Sequence, residues 1–522
     1  RSLEPAWAGS IRPGESRIGE IDAPEADFDK AYDFMYLAEG SDWFWWYGSD
    51  QDSGQDAYFD QGYRQLLKNV YLSLGLEAPS FLEIPVIQAQ MLKPDTAIAQ
   101  EAAPEIDGEF VEEEWQGAGA FTKLEAAGAK ELLFALDQEI LTFGLKLKEP
   151  LKSGESLEFF LNVPGDESRL IYDDSGETRL VSTATRMIKV TPEKDAAELY
   201  VADGDNWTLK EAEFGKAAAA TDFVEVGLPV SILENVANGN NIALNVLIRR
   251  ETPQLLNPNQ PFAIQYLSFE PLAQVFYMED PKDDDYGPGS YTYPKDGVFK
   301  PGDFDLLAFE VASDGANLVF TFGLDAPITN GWNSPNGFSV QTFDVYIDKD
   351  PGAATGARLL LPGRNAALGA EDGWDIALWV EGWNPQVVVP DADNAPVNLT
   401  EATSAMKVFV DSGKNAVVVS VPAEYFGEGD PAAWGYAVAV LGQEGYPSEG
   451  VWRVRDVSKM AESYRFGGAP DDNNHTRIID LLLPADASAA QESVLSGYPS
   501  SAAPVDPTNP DSFAIIPLLL AK

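Results

Sequence analysis

The sequence predicts a mainly β protein: two tandem antiparallel β-sandwich domains preceded by a short α-helical segment. Three observations carry this. Helical spacing of apolar residues is confined to about the first 80 positions. Beyond residue 104, short alternating or apolar runs are bounded by Gly and Pro, as strands are. Four such runs then recur in the same order further along the chain, which argues for two sandwiches of related topology.

In residues 1–80, Phe28, Ala31, Tyr32 and Met35 follow helical spacing up to Gly40. Phe59, Tyr63, Leu66, Leu67, Val70 and Tyr71 mark the apolar face of a second helix, with Ser53 placed to cap it and Gly75 to stop it. Between them lies LAEGSDWFWWYGSDQDS (37–53), whose aromatics Trp43, Phe44, Trp45, Trp46 and Tyr47 cannot all face one core. We read it as a connection, with Trp45 and Trp46 packing the helices together. Residues 81–103, punctuated by Pro85 and Pro94, form a linker.

The first sandwich spans 104–270 and the second 271–522. ELLFALDQEILTFGLKLKEPL (131–151) corresponds to DLLAFEVASDGANLVFTFGLDAPI (305–328). ESLEFFLNVPG (155–165) corresponds to FSVQTFDVYIDKDPG (338–352). DFVEVGLPVSIL (222–233) and NIALNVLIRR (241–250) are answered by AVVVSVPAEYF (416–426) and WGYAVAVLG (434–442). Length alone suggests three or four domains of ~150 residues.

The 522 residues are 45% hydrophobic and 11% aromatic, enough to bury several cores. Lys plus Arg number 35 against 84 Asp plus Glu, a net charge of −49. Such a surface repels phosphate backbones and anionic lipid, so nucleic acid and membranes are poor partners. Neutral ligands, divalent cations and solubility at high salt suit it. With no Cys and one His, thiolate and multi-histidine metal sites are excluded. His475, in DDNNHT, lacks a nucleophile partner and reads as a surface-loop residue. GPGSYTYPKDG (287–297) lacks the Lys-Ser or Lys-Thr of a phosphate loop. No apolar run is long enough for a transmembrane segment. Beginning at Arg1 without Met or leader, the sequence reads as part of a longer chain.

Three stretches resemble known families. AEGSDWFWWYGSDQDSGQDAYFDQGYRQLLKNVYLSLG (38–75) resembles the C-terminal end of the catalytic region in glycoside hydrolase family 57, especially its amylopullulanases. PEIDGEFVEEEW (104–115) resembles the opening of family 9 carbohydrate-binding modules and DOMON-like sandwiches. DPKDDDYGPGSYTYPKDGVFKPGDFDLLAFEV (280–311), NGWNSPNGFSVQTFDVYID (330–348) and WDIALWVEGWN (374–384) resemble the C-terminal binding module of glucodextranase. The resemblance implies the carbohydrate-binding C-terminal part of a secreted or cell-surface α-glucan-degrading enzyme. Its catalytic Glu and Asp would lie upstream, in an N-terminal catalytic part absent from this sequence. Without two carboxylates placed across the bond, this chain is not expected to cleave a glycosidic linkage by itself. Asp42 and Trp43 would then line a former glucose subsite.

Neutral glucans are gripped by flat aromatic rings and a few amide partners. That points to Trp332 beside Asn333, to Trp374, and to Trp383 beside Asn384, as the substrate-binding set. Alternation in WDIALW places Trp374 and Trp379 on opposite faces, one in the core. Asp280, Asp283, Asp284 and Asp303 offer hard oxygen ligands for Ca2+, although the spacing is not that of an EF-hand. The expected function is tethering of starch- or pullulan-type α-glucan. The rival is a calcium-stabilised structural or surface-layer-like protein without sugar binding.

Overall fold

The computed structural model describes residues 25–45, 47, 55–87, 90–166, 168–219 and 221–521, so Ser53, Trp46 and residues 1–24 of the expected helical segment lie outside the described residues. The chain forms two compact units. One contains residues 1–96, 102–237 and 241–266, and the other contains 97–101, 238–240 and 267–522. The described helices group with the first sandwich.

The helices run Glu25–Ala38, Ser41–Trp45 and Asp56–Ser73. The third ends where Gly75 adopts φ +71°, its N–H donating to Leu72 O while Leu76 N–H donates to Tyr71 O. That left-handed closure is the glycine's reason for being there. Asp60 and Arg64, buried on this helix, bind each other at 2.9 Å. They also hold the turn that follows, through Val86 N–H to Asp60 and Arg64 Nη1 to Leu82 O.

Each sandwich pairs a five-stranded with a seven-stranded antiparallel sheet, and strand order corresponds between the two. In the first, the five-stranded order is Gly119–Phe121, Ala129–Leu136, Ile140–Leu147, Phe223–Pro229, Lys216–Ala218. In the second it is Ala273–Glu279, Leu306–Ser313, Asn317–Leu324, Ala416–Pro422, Lys407–Asp411. The paired segments therefore occupy equivalent positions, and their local devices recur too. Both hairpins turn on an aspartate that accepts backbone N–H groups of the following residues: Asp137 from Glu139 and Ile140, Asp314 from Ala316 and Asn317. Both Phe223–Pro229 and Ala416–Pro422 end on a proline that leads into a 3-10 turn. Proline fits there because its fixed φ suits the turn and its missing N–H ends the ladder.

The seven-stranded sheet of the second sandwich is buried on both faces. Phe343, Val345 and Ile347 of Gln341–Asp348 enter the inter-sheet core with Phe309, Phe322, Val419 and Val438. Tyr346 faces the other way, beneath a covering layer that brings Leu361, Leu368, Trp374, Val454 and Ile516 over the sheet. That explains why this strand is buried along its full length instead of alternating. Asp344 lies on the covered side as well, held by Arg364 through Nε–Oδ2 at 2.6 Å and Nη2–Oδ1 at 3.0 Å.

Candidate functional site

The aromatic run behaves differently from expectation. Trp43 is the ring that packs the helices: it lies 5.9 Å from Phe59 and 6.1 Å from Tyr63, and its Nε1 donates to Leu37 O. Trp45 is 63% exposed, so it does not pack them. The reason is geometric, because Ser41–Trp45 is itself helical and residues two apart point to nearly opposite sides. Asp42 is exposed.

Trp374 and Trp379 are both buried, at 0% and 4% exposure, within the same covering-layer cluster. The regular strand begins only at Ile376, and Trp374 precedes it in a bridge to Ala357, so alternation does not relate the two. Trp374 donates Nε1–H to Leu359 O and packs on Tyr346, while Trp379 packs on Trp452 and beneath Arg364. With both faces covered by protein, Trp374 is not available to a sugar in this structure.

Trp332 and Trp383 are half-buried, neither free platforms nor core. They belong to one connected group of loops. The buried Glu381 carboxylate accepts the backbone N–H of Asn384 at 2.5 Å and of Trp383 at 3.3 Å. It also accepts Gln443 Nε2–H and lies 3.5 Å from Arg453. Gln443 O in turn accepts Arg455 Nε–H, and the Arg455 guanidinium stands 5.6 Å from the Trp332 ring centre with Glu444 at 3.6 Å. Phe299 and Tyr464 both pack edge-on against Trp332. Asn336 ties the Trp332 loop to the Trp383 loop through Glu381 O and Gly382 O. Asn333 and Asn384 are exposed, Asn333 at φ +54°.

Sequence reading missed the two tyrosines of this group. Tyr464 is 47% exposed and Tyr446, two residues past Glu444, is 95% exposed. Neither carries a pattern of its own; the loop EGYPSEG (444–450) and the turn AESYR (461–465) were the only cues. Elsewhere, a groove of about 670 Å³ runs past Arg358, Asn365, Asp372 and Asn394, but its one aromatic residue, Phe513, is buried. His475 is half-buried and hydrogen-bonds Asp472, which also takes Tyr498 and Ser500, an arrangement that fixes a loop.

The acidic residues divide. One carboxylate oxygen each of Asp280, Asp284 and Asp480 lie within 4.8 Å of one another. Asp480, on the strand Ile478–Leu481, was not foreseen because it lies some 200 positions away in sequence. Asp283 is exposed at φ +67° and gives its backbone N–H, not its carboxylate, to Asp305. Asp303 stands outside the group, accepting Lys300 N–H at 2.6 Å. Burial pushes Asp280 up to about 9, Asp284 to about 7, and Asp303 and Asp305 to about 6; it raises Asp480 well above the carboxylate range.

Residues 275–506 match a family model described as the C-terminal binding-module, SLH-like, of glucodextranase. The match covers under half of the chain and supports a carbohydrate-binding module in the second unit. No curated protein matches. Among solved structures 32 chains match, including one titled marsupial T cell receptor. That one is similar at 10% identity over 60% of this chain and 65% of its own length, with a TM-score of 0.15, too low to bear on the fold. No helix among the described residues is long and apolar enough to cross a membrane.

Proposed function

We propose that the second unit binds α-glucan of the starch or pullulan type and holds it near a catalytic part carried elsewhere on a secreted α-glucan-degrading enzyme. The observation that carries this reading is the match of residues 275–506 to a glucodextranase binding module. The loop group supports it with suitable chemistry: half-buried Trp332 and Trp383, exposed Tyr446 and Tyr464, and Asn333 and Asn384 at their margin. Flat rings take the apolar face of a sugar, and amides and charged groups take its hydroxyls. Tethering raises the effective concentration of substrate without any cleavage chemistry in this chain. The resemblance of residues 38–75 to family 57 amylopullulanases fits the same picture. So do Leu37, Trp45 and Tyr58, which stand exposed on the helices.

Two observations favour the structural reading. Arg455 over Trp332 leaves that ring partly occupied, and the matching family is described as SLH-like. Affinity electrophoresis on starch, pullulan and dextran gels separates the two. Retardation of the full chain on starch or pullulan, lost or reduced in Trp383→Ala or Tyr464→Ala, supports glucan binding at these loops. No retardation on any gel favours the structural role.

A further inference from the structure

A buried carboxylate cluster at the edge of the second sandwich lacks the positive charge its burial demands. Asp280 and Asp480 are 8% and 0% exposed, and Asp284 is half-buried. Asp480 is satisfied by backbone alone, taking Leu306 N–H at 2.7 Å and Leu481 N–H at 2.9 Å. Asp280 Oδ1 takes Leu483 N–H at 2.6 Å, but its Oδ2 is buried with no hydrogen-bond partner. Asp284 Oδ1 and, beside the group, Asp305 Oδ1 are also buried and unpartnered. Asp305 is itself 1% exposed.

No ion pair answers them, although the Lys282 ammonium lies near enough to feel Asp305. Among the described residues, no lysine or arginine forms an ion pair with Asp280, Asp284, Asp305 or Asp480. The nearest lysine in sequence, Lys282, is turned to Asp325 at 2.5 Å. The surrounding ionisable groups Asp283, Asp285 and Glu492 carry the same sign. Buried charges are ordinarily paired or coordinate a metal. Buried, unpartnered oxygens on Asp280, Asp284 and Asp305, in a group where Asp280, Asp284 and Asp480 each bring one oxygen within 4.8 Å of the others, make a place for a cation.

The donors select the ion. All are carboxylate oxygens, which suit hard cations and not zinc or copper. Asp280 and Asp480 are almost wholly enclosed, leaving little room for the retained waters that Mg2+ prefers. Ca2+ gives up water more readily and tolerates irregular ligand geometry. We propose that Asp280, Asp284 and Asp480, with Asp305 beside them, bind a single calcium ion. Asp280 follows Ala273–Glu279, the edge of the five-stranded sheet, and Asp480 lies on Ile478–Leu481, the end of the seven-stranded sheet. The ion therefore clamps the two sheets together at an edge. Gln491 braces the same place by accepting Leu481 N–H and donating to Asp284 O. This inference is independent of sugar binding.

The test uses the full chain freed of metal with EGTA, then titrated with calcium chloride up to about 1 mM, a range that includes weak extracellular sites. Equilibrium dialysis should find uptake at this site, and calcium should raise the thermal transition of the second unit by about 5 °C or more. Asp284→Asn should bind calcium at least tenfold more weakly. In EGTA the same variant should melt at or above wild type, because one repelling charge is gone. Asp280→Asn is expected to behave alike, so the pattern does not hang on one substitution. Asp350→Asn is the control, in a second acidic group (Asp348, Asp350, Asp375) where Asp348 already has backbone donors on both oxygens. The proposal is overturned if the wild type takes up no calcium, if both Asp284→Asn and Asp280→Asn bind as wild type does, or if only Asp350→Asn abolishes binding.

Discussion

Glu225 should make the first sandwich lose stability as pH rises, against the usual behaviour of a carboxylate. It sits on the strand Phe223–Pro229, opposite Gly144 and Ala218, at 0% exposure. Its Oε2 accepts Gly108 N–H at 2.7 Å and Asp107 N–H at 3.1 Å, anchoring the IDG turn to the sheet. Its Oε1 is buried without a partner, and Asp107 and Glu114 stand nearby with like charge. Burial outweighs the two amide bonds and pushes the group from 4.5 up to about 7. Between those values the native state holds a proton that the unfolded chain releases. The native state binds more protons, so stability falls as pH rises through that window. Integrated over the window the loss is at most about 3 kcal/mol, complete above pH 7. Glu225→Gln keeps an acceptor for Gly108 and cannot ionise. Urea unfolding of both proteins at pH 5 and pH 8 isolates the effect, because every other titrating group cancels in the difference. The variant should be near wild type at pH 5 and more stable at pH 8 by up to about 3 kcal/mol. A difference that is flat with pH, or one that favours wild type at pH 8, would refute the reasoning.

Other substitutions follow from the same bookkeeping of partners. Arg364→Met strands the buried Asp344, which then keeps only Tyr346 OH at 2.8 Å; a loss of about 3–5 kcal/mol in chemical denaturation is expected. Trp374→Ala should destabilise the second unit by about 3–5 kcal/mol, and Trp374→Phe should recover most of that while leaving glucan retardation unchanged. Tyr446→Ala, at 95% exposure, should leave the melting temperature within about 1 °C of wild type; any loss of retardation on starch gels then reports contact rather than folding.

Much of the architecture was legible because strand pairing leaves local marks. Asp137 and Asp314 at the hairpin turns, and Pro229 and Pro422 at the strand ends, are visible without knowing any partner. What stayed hidden depended on long-range contacts. Trp374 reads like a surface tryptophan because Asp375 and nearby glycines flank it, yet Leu359 and Tyr346 enclose it. Asp480 reads as a polar interruption in an apolar strand, and only the fold sets it beside Asp280. Trp43, not Trp45, packs the helices because a five-residue helix, too short to show a period, decides which ring turns inward.

The correspondence between the sandwiches also separates scaffold from function. The shared strands account for both inter-sheet cores, so whatever distinguishes the second unit lies in what its loops add. Between Gln341–Asp348 and Ile376–Glu381, and again after Gly435–Gly442, the second sandwich carries long segments that cover its seven-stranded sheet. The equivalent exit from Asn241–Arg249 in the first sandwich returns within a few residues to Gln254–Leu255. Tyr446, Arg455 and Tyr464 all ride on the second of those added segments. The first sandwich carries an insertion too, the hairpin Leu170–Tyr172 and Arg179–Ala184, but its tryptophans do not stand at a rim: Trp115 is buried, and Trp207 is half-buried, held by Phe160 and by its Nε1 bond to Tyr172 O. Covering the sheet consumed Trp374 and Trp379 as core, and the same chain excursion placed the tyrosines at the rim. If glucan binds this protein, it should therefore bind the second unit, and substitutions at Trp115 or Trp207 should change stability without changing retardation on any glucan gel.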